Sequence, residues 1–546
     1  MLKMKRNILA YFLLLIIFVH CEKILKCKKV EKPNIVIIMA DDMGSFDASY
    51  RGSNEFLTPN IDALAYNGII LDRFYTPPVC TPSRASVMTG KYPHTIGMQN
   101  FVVRAVEAYA LGNDQTLMSD YFKQAGYSTH LIGKWHLGFY EKKFTPTYRG
   151  FDTFFGYYNG FIDYFNRTHY SFNTPGYDFR RNKEVTYENF GEYATTLFTN
   201  EAVKLIKNKN DEPLFMMVNH LAPHTANNYE LMQAPQEEID KFKHIEDPNR
   251  RILAAMISKL DDGIGQIVEA LEDANILDNT IILFYSDNGG KFTGRFNNYG
   301  SNFPLRGQKN SPWEGAVRNL AFIFSPLIGN SQRIYDGYMY TADVLPTLAS
   351  AAGIKIGDVE GYDMWNAIIN KKISPRSEVI PSFDNISGHS SIILDKWKFV
   401  NGTTFDGIYD GYLGIIPEYN LDPNEYANRV SSSIAGKALE NYGKTLSNGK
   451  ILNLRRNAMI DCNEKQIPLT LCEPLKSPCL FDIHRDPCER ENLSSMFPDV
   501  VAKLQQRMLE IVESAAPVRR TFVDDPLSNP ALYNNTWVSY RDYSEI

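Results

Sequence analysis

The chain has 546 residues, 44% of them hydrophobic and 22% charged, with a net charge of −6. That composition supports a large buried core, and at about 100–200 residues per domain the length allows two to four domains or one large α/β domain with an appendage. The acidic balance, without any basic block, argues against a nucleic-acid partner.

The first segment reads as a signal peptide over 1–22. MLKMKR supplies a positive start and NILAYFLLLIIFVH an apolar stretch shorter than the ~20 residues of a membrane span. No later stretch is apolar enough to span a bilayer. A secretory route follows, ending in a lysosomal or extracellular location.

Next comes an alternation of strands and helices. NIVIIMA (34–40) is a short β-branched run of the kind buried in parallel sheets. TPNIDALAYNG places Thr58 as N-cap, Pro59 in the first turn and Gly68 as a stop. TLMSDYFKQAG repeats that scheme, ending at Gly126. STHLIG (128–133), LFMMVNH (214–220) and TIILFYSD (280–287) read as strands, 252–274 as a long amphipathic helix, and DVLPTLASAAG as a helix closing at Gly353. The pattern predicts an α/β fold over 33–375, a large, mostly parallel sheet sandwiched by helices. From 376 to 546 the character changes. SSIILDKWKFVNG looks antiparallel, 402–455 is polar and unassigned, and a helix lies near 498–514. A smaller C-terminal α+β subdomain is expected there.

In a secretory setting the seven cysteines matter. Cys462, Cys472, Cys479 and Cys488 crowd together, and the local pairings Cys462–Cys472 and Cys479–Cys488 are favoured. Cys21 lies at the edge of the signal, leaving Cys27 as the spare partner for Cys80. Sequons at Asn166, Asn385, Asn401, Asn492 and Asn534 are candidate glycosylation sites.

The predicted strands end in chemistry. NIVIIMA runs into Asp41–Asp42, STHLIG into Lys134 and His136, LFMMVNH into His220 and His224, and TIILFYS into Asp287–Asn288. Ligands of open α/β sheets bind beyond the carboxyl ends of strands, so these groups should share one edge. Singly each has a plain reading: a helix cap for Asp41–Asp42, a turn for Asp287-Asn288-Gly289-Gly290, a core imidazole for His136. Together, three carboxylates and an amide are hard oxygen donors that suit Ca²⁺ or Mg²⁺. Zinc is disfavoured, because neither C-x-x-C nor H-E-x-x-H is present.

VCTPSRASVMTG (79–90) places Cys80 just before a helix start, with Pro82 in the first turn and Arg84 one turn in. Backbone N–H groups and a guanidinium there favour a tetrahedral oxyanion. A thiolate in that place could be a nucleophile, yet a soft ligand sits awkwardly beside a hard-cation site.

C-T-P-S-R resembles the sulfatase signature C-x-P-S-R. PNIVIIMADDMG, GKWHLG (133–138), PTYRGFDTFFGY (146–157), YSDNGG, PLRGQKNSPWEGAVR (304–318) and CLFDIHRDPCERENLS (479–494) follow in family order. The resemblance is nearest to the arylsulfatase B (N-acetylgalactosamine-4-sulfatase) group. It implies the alkaline-phosphatase-like sulfatase fold and hydrolysis of sulfate esters. It also implies that Cys80 is oxidised to formylglycine by the formylglycine-generating enzyme of the secretory pathway. Asp41, Asp42, Asp287 and Asn288 would then hold one Ca²⁺ together with the oxygen of residue 80. Arg84 and Lys134 would steady residue 80 and the sulfate. His136 would serve the hydrated aldehyde, and His224 and Lys309 the ester oxygen. His220 competes with His224, because the chain reads NHLAPH here. In QNFVVRAVEAYALGNDQ (99–115) the chain lacks the cysteines that the arylsulfatase B group carries near the pocket mouth, which leaves the substrate open among sulfated glycans and aryl sulfates. The 13% aromatic content suits sugar rings and core packing alike. A phosphoryl hydrolase on the same fold is disfavoured by the cysteine and by the single acidic metal set. A non-enzymatic glycan-binding protein is disfavoured by the retention of every expected polar residue.

Overall fold

The computed structural model describes residues 32–171, 174–413, 419–442, 445–517 and 520–543. The signal segment and Cys21 and Cys27 lie outside them. A ten-stranded sheet forms the centre. Its strands are β1 (Asn34–Ala40), β2 (Ile69–Tyr75), β3 (Ser128–Lys134), β4 (Thr153–Tyr157), β7 (Arg180–Arg181), β8 (Glu184–Val185), β9 (Leu214–Asn219), β10 (Thr280–Ser286), β11 (Ala321–Phe324) and β12 (Arg333–Tyr340). β5 (Thr168–Ser171) and β6 (Thr174–Tyr177) pair apart as a hairpin. The order is β12-β2-β11-β10-β1-β9-β3-β4-β7-β8, and the run β10-β1-β9-β3-β4 is parallel throughout. Every residue of β1, β9 and β10 is buried, which is why these strands read as unbroken apolar runs.

Strand alternation divides the core. Val36, Ile38 and Ala40 face one layer with helices α1 (Pro59–Asn67), α4 (Ala194–Lys207) and α5 (Pro248–Asp273). Ile35, Ile37 and Met39 face the other, with α2 (Cys80–Thr89), α3 (Met118–Gln124) and α6 (Val344–Ala351). At about 1.5–3 kcal/mol per fully buried aliphatic side chain, a one-residue slip of β1 would forfeit both faces at once. Thr58 does precede α1, but its hydroxyl donates to the Asp62 carboxylate at 2.9 Å instead of accepting from the first turn.

β13 (Glu378–Asp384), β14 (His389–Leu394), β15 (Trp397–Asn401) and β16 (Cys479–Asp482) form a four-stranded antiparallel sheet. Helix α10 (Pro498–Ser514) packs against it through Leu504, Met508 and Ile511. The polar stretch after 402 contains helices α7 (Pro423–Ser431), α8 (Ile434–Glu440) and α9 (Asn448–Ala458). These cover α1 and α5, with Tyr426 donating to the buried Asp62 and Arg455 reaching the carbonyls of Ser49 and Ser53.

The disulfides differ from the local pairings expected. Cys462 bonds to Cys488 and Cys472 to Cys479. Pairing of β16 with β15 fixes Cys479 opposite Val400, beside Cys472. The chain then runs away from Cys479 as an extended strand, so the turn that follows carries Cys488 to Cys462 beneath Leu305. Among the described residues no helix is long and apolar enough to cross a membrane.

Candidate active site

The parallel register brings the strand ends to one edge. Ala40 lies opposite Ser286 and Gly133 opposite Asn219, so the residues that follow β1, β3, β9 and β10 meet there. The Asp287 amide donates to the Ala40 carbonyl at 3.1 Å, and the Asp42 amide to Asp287 Oδ1 at 3.2 Å. Asp42 holds a left-handed backbone, φ 63°, which turns its carboxylate inward. Cys80 is the first residue of α2, with Val79 as N-cap. The helix thus starts at the cysteine and not after it, and the side chain projects from the electropositive first turn.

Each buried carboxylate has its own cation. Lys134 Nζ lies 2.6 Å from Asp41 Oδ2. Arg84 forks onto Asp287 Oδ2 from Nη2 at 2.8 Å and Nε at 3.1 Å, with Asp41 at 3.6 Å. Lys309 Nζ reaches both Asp42 oxygens, at 2.6 and 2.7 Å, and Cys80 Sγ at 3.4 Å. Cys80 Sγ lies 3.7 Å from Asp41 Oδ1. Asn288 Nδ2 donates to Asp42 Oδ1 at 2.7 Å. His224 Nε2 stands 3.5 Å from Asp42 Oδ2 while its Nδ1 faces the Thr225 carbonyl at 2.6 Å. All ten candidate residues therefore fall in this cluster or line the cavity above it, and the competing His220 does not. The His220 ring is buried near Phe198, at 6.3 Å, and neither ring nitrogen has a partner among the described residues.

These neighbours set the protonation states. Burial, reinforced by the charge of Asp287, pushes the Asp41 carboxyl up to about 7 despite Lys134 and Arg84. Burial would also raise Asp42 and Asp287, but Lys309 and His224 hold the first below the usual carboxylate range, and Arg84 and Lys134 the second. Burial, then the charges of Lys134 and Arg84, push the His136 imidazole well below its ordinary value, so it is neutral. His136 sits at φ 57°, its Nε2 is 3.1 Å from the Val103 carbonyl, and its Nδ1 has no partner among the described residues. A Cβ on Gly160 would stand 2.6 Å from the imidazole Cε1, so only glycine leaves room for the ring.

The donor set fits a hard divalent cation. Ligand atoms of Asp41, Asp42, Cys80 and His224 lie within 4.8 Å of one another. The Asn288 Oδ1 is buried without a partner among the described residues, and Asp41, crowded by Asp287, lacks full compensation. An orphaned amide oxygen beside under-compensated carboxylates is what a Ca²⁺ or Mg²⁺ shell would complete. Above the cluster opens a cavity of about 370 Å³. Sequence reasoning missed several of its walls: Phe161, which stacks on His224 at 5.6 Å, and Phe296, Tyr409, Lys291 and Arg295. Lys291 directly follows YSDNGG and was within reach of that motif. Val103 and Arg104 come from the 99–115 stretch, which does line the mouth.

The sulfatase family profile matches residues 33–354. The chain belongs to the sulfatase family. Arylsulfatase J of Mus musculus is 35% identical over 93% of this chain and 80% of its own length. N-acetylgalactosamine-6-sulfatase of Mus musculus is 30% identical over 63% of this chain and 68% of its own length. Arylsulfatase A of Homo sapiens is 30% identical over 67% of this chain and 74% of its own length. Among solved structures, Ps i-CgsB in complex with k-i-k-neocarrahexaose superposes with a TM-score of 0.70 at 25% identity, covering 92% of this sulfatase and 97% of that chain. The sheet, its helices and the added antiparallel sheet are the sulfatase architecture.

Proposed function

We propose that this sulfatase hydrolyses sulfate monoesters of sugars, with N-acetylgalactosamine 4-sulfate of glycosaminoglycans as the first candidate. Residue 80 would act as formylglycine and one Ca²⁺ would be bound. The observation that carries the reading is Cys80 itself, on the first turn of α2 and 3.4 Å from Lys309 amid the paired carboxylates. Its Sγ stands in for an oxygen of the hydrated aldehyde. That hydrate supplies two hydroxyls on one carbon, one to attack sulfur and one whose deprotonation expels sulfate, a release that a serine or cysteine ester lacks. Asp41, Asp42, Asp287, Asn288 and residue 80 would hold Ca²⁺, which supplies positive charge to the sulfuryl oxygens and acidifies a neighbouring hydroxyl.

The chain's own groups do the rest. Lys134 and Lys309 place two ammonium groups where charge develops on sulfuryl and ester oxygens. His224 donates its Nδ1–H to the Thr225 carbonyl, so Nε2 faces the cavity, and in the imidazolium form it carries the proton that passes to the leaving alcohol. The carbonyl of Val103 makes His136 Nε2 the protonated nitrogen. Its Nδ1 lone pair is then free to take the proton of the second hydroxyl. Phe161, Phe296 and Tyr409 offer ring faces to a sugar.

The relatives include N-acetylgalactosamine-6-sulfatases, so the 6-sulfate is the natural competitor. The test is expression in a secretory host and mass analysis of the tryptic peptide 74–84. Hydrolysis of an aryl sulfate and of N-acetylgalactosamine 4- and 6-sulfates is then measured. Conversion of Cys80 to the aldehyde with release of sulfate from the 4-sulfate is expected. An intact thiol in a host that modifies its other sulfatases would overturn the mechanism. Release from the 6-sulfate alone would move the position.

A further inference from the structure

Beside the reaction cavity lies a second one, of about 220 Å³, on the scale of one sugar ring. Phe101, Asn310 and Phe405 line both, so the two adjoin. Val79, the N-cap of α2, and Pro82 in its first turn form part of its wall. The opposite wall comes from β13 and β14 of the antiparallel sheet.

Several of its polar atoms are unpartnered among the described residues. Among the described residues both side-chain atoms of Gln99, the Asn310 Oδ1, the Ser382 Oγ and the His389 Nδ1 have no hydrogen-bond partner. Each of these residues lines the cavity and is more than nine-tenths buried. Buried polar atoms are normally paired, so this set is waiting for donors and acceptors from elsewhere. Phe101 and Phe405 add ring faces at the junction.

The lining contains no lysine or arginine. Its one carboxylate, Asp384, is already accepting from Asn100 Nδ2 and from the amides of Ile386 and Ser387. Burial, with Arg507 nearby, pushes His94 down to about 4, and burial lowers His389 too, so both rings are neutral. The reaction cavity is the opposite, lined by Lys291, Arg295 and Lys309. Anions are welcome on one side of Phe101 and find no counter-charge on the other.

We propose that the second cavity is a subsite for an uncharged sugar joined to the sulfated one, its hydroxyl or acetamido groups pairing with Gln99, Asn310, Ser382 and His389. The inference rests on the reading above that the chain hydrolyses sulfate esters of sugars, and it departs from that reading's first candidate, because the N-acetylgalactosamine of glycosaminoglycans is linked to hexuronate. A sulfated sugar linked to a neutral hexose or N-acetylhexosamine is turned over in preference to one linked to a hexuronate.

The test uses the full chain from a secretory host, with the residue 80 aldehyde verified by mass. Matched disaccharides carry one sulfated N-acetylgalactosamine, 4- or 6-sulfated according to which monosaccharide is hydrolysed, linked to galactose or to glucuronate. We expect kcat/KM to favour the galactose partner by about tenfold or more. Gln99→Ala should shrink that ratio by about tenfold, the cost of leaving a ligand group unpaired. Phe101 is 42% exposed, so Phe101→Lys keeps the fold while adding a cation at the junction, and it should shift the ratio toward glucuronate. A wild-type ratio at or below one, or a ratio that neither variant moves, would overturn the subsite while leaving sulfate hydrolysis standing. Failure to release sulfate from any sugar, aldehyde present, would instead overturn the function it rests on.

Discussion

The two cavities on either side of Cys80 are built from opposite materials. In the cluster beneath the reaction cavity each carboxylate has a cation: Lys134 with Asp41, Arg84 with Asp287, Lys309 with Asp42. In its neighbour every polar side chain but Asp384 is uncharged, and among the described residues Gln99 and Ser382 have no side-chain hydrogen-bond partner. Buried paired charges are hard to alter, because removing one strands the other in a low dielectric. Unpaired neutral groups cost the free protein stability but leave ligand choice adjustable. One sheet edge thus carries fixed chemistry beside a recognition surface that can drift.

The largest break in that contrast comes at Cys80. Cys80→Ala should cost about 10⁴-fold or more in aryl sulfate turnover with little change in melting temperature, since the side chain is small and weakly bonded. Substantial residual turnover would mean that the chemistry lies elsewhere. Lys309→Met should hurt both fold and rate, by about 3–5 kcal/mol in a denaturant titration and about 10²–10³ in kcat. A stable Lys309→Met protein would contradict the paired-charge description.

Chelation tests the orphaned Asn288 oxygen. Ca²⁺ at about a hundred times its Kd should stabilise the protein by about 2.7 kcal/mol, read as a calcium-dependent melting temperature that Asn288→Leu reduces. In the second cavity the sign reverses. Gln99→Met should stabilise the free protein by about 1 kcal/mol, because an unpaired buried amide disappears. Destabilisation there would mean that the amide is satisfied after all. The smallest effect concerns Lys291, whose ammonium burial and Lys309 depress to about 8. The group is charged below that pH and neutral above it, so KM for a sulfate ester should rise about threefold as pH climbs through 8. Lys291→Arg should flatten the rise, since a guanidinium stays charged.

Much of the site could be read from the chain, for a physical reason. Parallel buried strands are short apolar runs, and the residues just past each run must share an edge. Asp41, Asp42, Lys134, Asp287 and Asn288 were found that way. The choice between His220 and His224 was not open to that argument, because it depends on which side of the sheet each ring turns to. Disulfide pairing depended on the register of β16 against β15. Helices α7 to α9 were missed because each buries only a narrow stripe, such as Tyr426, Ala427 and Val430, in an otherwise polar stretch. Phe161, Phe296 and Tyr409 reach the pocket from separate loops whose sequences carry no period.

The burial of α2 imposes a timetable. Cys80 is 1% exposed, and Thr81, Ser83 and Arg84 are sealed with it between the sheet and the 99–115 loop. An oxidising enzyme must grip the chain around the thiol, and once this helix has docked there is nothing to grip. The conversion proposed for Cys80 would therefore race folding. Chains that fold first would carry a well-packed, stable and permanently silent thiol, so specific activity would record the outcome of that race as much as the quality of the fold.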